Sequence, residues 1–183
     1  MPYFTKFLAG LALCASFLPF THGAQNADVA KPAIFPPLIS YSLSHAKLNL
    51  PADFAGQLNL LFISFQPEQQ TQVETWMPVA RALQHTNFIF HWYRLPVSSR
   101  ENIVFRWWEN SSMRSDETDP EMWPWIVPLY IDKDDFRRRL QIPNERQIAV
   151  ILIDKNGRVL WRAEGPLTAG KRNSLTATVA AAK

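Results

Sequence analysis

Leu58-Asn59-Leu60-Leu61-Phe62-Ile63-Ser64-Phe65-Gln66-Pro67-Glu68-Gln69-Gln70-Thr71-Gln72-Val73-Glu74-Thr75-Trp76-Met77-Pro78 changes character after its eighth residue. Up to Phe65 the run is almost continuously apolar, the pattern of a strand covered on both faces. From Glu68 to Gln84 the apolar residues Val73, Trp76, Met77, Ala80 and Leu83 recur at helical spacing. Pro78 lies inside that helix, where it removes a backbone donor and is expected to kink it. A fully covered strand that feeds a helix is the repeating unit of α/β folds.

Downstream, Asn87 to Leu95 is aromatic and β-branched and predicts a second strand. Ser98 and Glu101 form a capping-box pair ahead of Ile103, Val104, Trp107 and Trp108, which predicts a second helix. Strand-helix-strand-helix order favours parallel strands joined by right-handed crossovers. Between Asn110 and Pro124 the sequence is polar and irregular, like an insertion, before a short strand at Ile126–Ile131 and a short helix at Lys133–Leu140. Ile148–Ile153, the turn Asp154-Lys155-Asn156-Gly157 and Arg158–Arg162 read as a β-hairpin with Asn-Gly at its tip. Thr168 is placed to cap a last helix through Ala182, whose many small residues suggest weak packing.

Upstream, residues 24–57 contain Pro32, Pro36, Pro37 and Pro51 without sustained periodicity and read as an extended segment lying on a domain of residues 58–183. Residues 1–23 resemble a secretory signal: Lys6, the uncharged apolar stretch Phe7–Phe20, then small residues near Ala24. That stretch has 14 residues, short of the ~20 that a spanning helix needs. The expected location is therefore outside the cytoplasm, periplasmic or secreted, with retention of the leader as a membrane anchor the alternative. The single cysteine, Cys14, lies inside the leader, so cleavage leaves no thiol and no disulfide. The formal charge of +3 is spread along the chain, and its one dense run, Arg137-Arg138-Arg139, sits beside Asp134 and Asp135. A nucleic-acid partner wants a sustained basic face, and none is present in the sequence.

The chain resembles the thioredoxin-like superfamily. In that family a strand ends in Phe, a Cys-x-x-Cys pair opens the next helix, and a kink proline comes five residues after the second cysteine. Phe65 and Pro78 match the two outer anchors without a gap, so the cysteine places fall on Gln70 and Val73. The family's cis-proline, counted back from the hairpin glycine Gly157, falls on Ile148. The resemblance implies an α/β fold with a central mixed sheet flanked by helices. Family activity rests on a thiolate stabilised by a helix N-terminus, and neither Gln70 nor Val73 can supply one. In its C-terminal half the chain is also similar to the assembly factors of the mitochondrial F-type ATP synthase. The residues concerned are Leu129-Tyr130, Phe136-Arg137, Leu140, Leu152 to Arg162, and Gly165-Pro166-Leu167-Thr168. That likeness implies a chaperone that helps a membrane-complex subunit to assemble.

These readings converge on a binding or assembly protein without catalysis, cofactor or metal, acting on a protein partner. An enzyme with a non-thiol site and a structural subunit of an envelope complex are the alternatives. The candidate partner-binding residues are Gln70, Thr71 and Gln72 at the helix start, and Trp107, Trp108, Trp123 and Trp125. Trp is enriched at interface hot spots, although core packing is an equally ordinary use of it. The crevice at the strand C-termini is where both groups are expected to meet. His45, His85 and His91 have no metal-motif spacing, and Glu68 and Glu74, six apart, read as a solvated helix face.

Overall fold

The structure, a computed structural model, describes residues 33–100, 113 and 119–182. The leader, residues 24–32, and the helix expected to hold Trp107 and Trp108 lie outside these residues. The described elements are β1 (Leu38–Tyr41), β2 (Lys47–Leu50), β3 (Leu58–Ser64), α1 (Gln70–Thr86), β4 (Phe90–Ser98), β5 (Leu129–Tyr130), α2 (Lys133–Leu140), β6 (Ala149–Asp154), β7 (Val159–Glu164) and α3 (Ala169–Ala181). Among them, none is a helix long and apolar enough to cross a membrane.

Five strands form one sheet in the order β5-β4-β3-β6-β7. β3 pairs in parallel with β4, in a register running from Leu58↔Phe90 to Ser64↔Pro96. β5 is parallel to β4, while β6 is antiparallel to β3 and β7 to β6. The sheet is therefore mixed, and β3 lies at its centre.

Side chains along β3 alternate between two cores, which is why its sequence is apolar throughout. Leu60 and Phe62 pack with Phe90, Trp92, Val150 and Leu152 under Val73, Trp76, Met77 and Ala80 of α1 and Leu175 and Val179 of α3. Leu61 and Ile63 pack with Tyr93, Leu95, Ile151 and Ile153 under Phe136 and Leu140 of α2 and under Phe35, Leu50 and Phe54. The last helix thus docks through two large residues, Leu175 and Val179, in a sequence of mostly small ones.

The proline-containing stretch before β3 holds a two-stranded antiparallel pair, β1–β2, that the sequence reading did not foresee. Its position is set by distant partners: Leu43 N–H donates to the Ile126 carbonyl at 3.0 Å, and Ser40 Oγ to the Pro128 carbonyl at 2.5 Å. Farther upstream, Phe35 N–H donates to the Gly157 carbonyl at 2.8 Å. The hairpin turn is pinned by Asp154, whose Oδ1 accepts from the N–H groups of Asn156 and Arg158. Gly157 has φ +81, and a Cβ there would lie 2.9 Å from Pro51 Cγ, so both conformation and contact require glycine.

Candidate functional site

β3 ends at Ser64, and a short 3-10 turn at Pro67–Gln69 leads directly into α1. Because β3 and β4 are parallel, this turn stands at their C-terminal end, where α/β sheets place ligands. β6 begins at the same end, since Ala149 pairs with Ile63. The antiparallel β7 also finishes there, with Glu164 opposite Ala149.

The resemblance puts the first cysteine at Gln70 and the second at Val73, and both positions have the burial such a pair would need. Gln70, the first residue of α1, is half-buried, whereas Val73 is buried one turn in. Thr71 is exposed and its Oγ1 donates to the Glu68 carbonyl at 3.1 Å. Gln70 Nε2 donates to Glu74 Oε1 at 2.5 Å, and that carboxylate stands 3.8 Å from Arg94 Nη1. None of these side chains is a nucleophile able to replace a thiolate. No group of three or more His, Cys, Asp or Glu side chains is arranged to hold a metal ion among the described residues.

Two amide side chains close the crevice instead. Gln69 is only 3% exposed. Its Oε1 accepts from Phe65 N–H at 2.8 Å, and its Nε2 donates to the Glu145 carbonyl at 2.7 Å. Gln72, three residues on, accepts through Oε1 from the N–H of Ile148 at 3.3 Å. Ile148 has that N–H because it is not the proline the resemblance would place there.

The loop before β6 is held from its other side as well. The Ile148 carbonyl accepts from Gly165 N–H at 2.9 Å, and the Gly165 carbonyl from Trp76 Nε1 at 3.0 Å. Gly165 has φ +68, and a Cβ there would come within 2.2 Å of Gln147 Oε1. Leu167 N–H donates to Thr75 Oγ1 at 2.9 Å, which ties the approach of α3 to α1. Glu145 is anchored in turn by Lys133 Nζ at 2.8 Å and Arg137 Nη1 at 3.5 Å.

Of the expected partner-binding residues, Gln70, Thr71 and Gln72 share this end, Trp123 and Trp125 stand elsewhere, and Trp107 and Trp108 lie outside the described residues. Trp125 closes a 3-10 helix at Pro120–Trp125, capped by Asp119 through a 3.0 Å bond from Glu121 N–H. The next residue, Ile126, bridges Arg94 in the middle of β4. The Trp125 ring stacks on His91 at 5.3 Å and meets Tyr93 edge-on at 5.7 Å. His91 pairs with Asn59 near the start of β3, whereas Gln70 follows the end of that strand. The expected convergence of Gln70 with Trp123-Pro124-Trp125 is therefore corrected: parallel pairing of residues 126–130 with β4 sends Trp125 back toward the start of the sheet.

Gln69, Glu145 and Gly165 were not singled out from the sequence. Gln69 is one of five glutamines between Gln66 and Gln84 and carries no local mark that separates it from the exposed ones.

No family model matches the chain, and no curated protein matches it. Solved structures do. The chain is similar over 82% of its length to 94% of BsSco, a member of the Sco family of cytochrome c oxidase assembly proteins, at 11% identity and TM-score 0.55. It is similar over 81% of its length to 89% of a thiol:disulfide interchange protein from a Bacteroides species, at 16% identity and TM-score 0.52. It is similar over 91% of its length to 99% of a DsbF homologue from Corynebacterium diphtheriae, at 14% identity and TM-score 0.53. With β3, α1, β4 and the β6–β7 hairpin in the places described, the fold of this chain is thioredoxin-like, a central mixed sheet flanked by helices.

Proposed function

We propose that the protein is a non-catalytic, thioredoxin-like binding or assembly protein of the cell envelope. The observation that carries this reading is the chemistry at the start of α1. The positions suited to a thiolate and its partner hold Gln70 and Val73, and the neighbouring amides of Gln69 and Gln72 are bonded to the protein's own backbone. A helix N-terminus that stabilises no anion loses the family's redox function and keeps its shape.

The partner is a protein, and the similarity of residues 129–168 to F-type ATP synthase assembly factors makes a membrane-complex subunit the first choice. The signal-like leader supports export, with the folded part in the periplasm or outside the cell. Gln70, Thr71 and Gln72 form the contact surface at the sheet's C-terminal end, while Trp107, Trp108 and Trp123 remain further contacts to test.

Thr71→Arg places a bulky charge on this surface without touching a core residue. Recovery of the envelope partner on immobilised protein should fall at least tenfold, with a thermal midpoint within a few degrees of wild type. Undiminished recovery, or measurable disulfide reductase activity of the wild-type protein, would overturn the proposal.

A further inference from the structure

We infer that Gln69 and Gln72 form a clasp with one fixed and one releasable arm, and that the crevice opens by release of Gln72 from Ile148. The two side chains are one helical turn apart on α1, and both reach the loop that leads into β6. Their circumstances differ. Gln69 is buried, makes bonds of 2.7 and 2.8 Å through both ends of its amide, and joins three segments: Phe65, α1 and Glu145. Release of this arm strands a buried N–H, because Phe65 is itself buried.

Gln72 is half-buried and holds Ile148 through one bond at the long end of the range, 3.3 Å. Its release costs one neutral hydrogen bond and leaves the Ile148–Gly165 and Trp76–Gly165 links intact, so the loop stays in place while its N–H becomes available. A free N–H at the start of a strand accepts nothing and donates once. The group it takes is an acceptor oxygen, a backbone carbonyl of an extended segment being one such group. This last step rests on the binding function proposed above, whereas the clasp itself does not.

Amide hydrogen exchange of the whole chain, read residue by residue by NMR without any partner, tests the clasp. In Gln72→Ala the Ile148 amide should exchange about 3- to 10-fold faster than in wild type, with the Phe65 amide unchanged. In Gln72→Glu the carboxylate should bind the same N–H more strongly, so that Ile148 exchanges more slowly at neutral pH and loses this protection as the pH falls through ~4. An unchanged Ile148 rate in Gln72→Ala, or parallel acceleration of Phe65 and Ile148 in that variant, would overturn the two-arm clasp. If both variants behave as expected and no partner is ever retained, the clasp stands and the binding function fails.

Discussion

Replacing Gln69 by Ala removes a side chain that is 3% exposed and two hydrogen bonds at 2.8 and 2.7 Å. The Phe65 N–H is left in a buried site without an acceptor, at a cost of about 1–3 kcal/mol. The Glu145 carbonyl lies in a half-buried loop and is rehydrated more easily, so it adds little. Lost packing of the glutamine methylenes contributes about 1 kcal/mol. The total is about 2–4 kcal/mol, which for a domain of this size lowers the thermal midpoint by about 5–15 °C. Urea unfolding followed by far-UV circular dichroism measures the change directly, and Gln70→Ala is the matched control. Gln70 bonds only to Glu74 on the surface of the helix, so its loss should stay within about 0.5 kcal/mol. Equal midpoints for Gln69→Ala and wild type would show that the clasp has no structural weight and would refute the reasoning.

Trp125→Ala should destabilise by about 2–4 kcal/mol, because this half-buried ring packs against both cores and stacks on His91. A midpoint within 2 °C of wild type would mean that the ring is a surface group free to serve a partner. Burial holds the His91 imidazole below its ordinary pKa, and its Nδ1 has no hydrogen-bond partner among the described residues. The unfolded chain therefore takes up a proton first as the pH falls below about 6.5. Stability contributed by neutral His91 is present above that value and is lost as the pH drops through the lower folded pKa. Thermal midpoints between pH 7.5 and 5 should fall for wild type and fall less for His91→Phe, and identical slopes would remove His91 from the account.

Much of the scaffold could be read from local pattern. The unbroken apolar run Leu58–Phe65 is what a central strand with two covered faces requires, and Asn156-Gly157 marks a tight hairpin because glycine adopts positive φ without strain. β1 and β2 escaped because only four residues of each pair and their position depends on Ile126 and Pro128, more than 80 residues away. β4 runs on to Ser98, three residues past the aromatic segment that announced it, because β5 supplies partners for Val97 and Ser98. At the site, the places of Gln70 and Val73 followed from spacing to Phe65 and Pro78. The bridging roles of Gln69 and Gln72 did not, since a glutamine amide is equally at home in water and the loop it reaches lies about 75 residues downstream. The level of Trp125 was misjudged for a similar reason: a connection of unknown path gives no register until its strand is paired.

Reduction of insulin disulfides, measured for the wild-type chain beside Gln70→Cys/Val73→Cys, tests most directly whether the scaffold is kept while the chemistry is gone. The account predicts that wild type reduces insulin no faster than buffer, whereas the double variant forms a reducible intramolecular disulfide and acquires activity, its two thiols being one helical turn apart at the start of α1. Reduction by the wild-type protein above the buffer rate, or failure of the double variant to form its disulfide under mild oxidant, would contradict it.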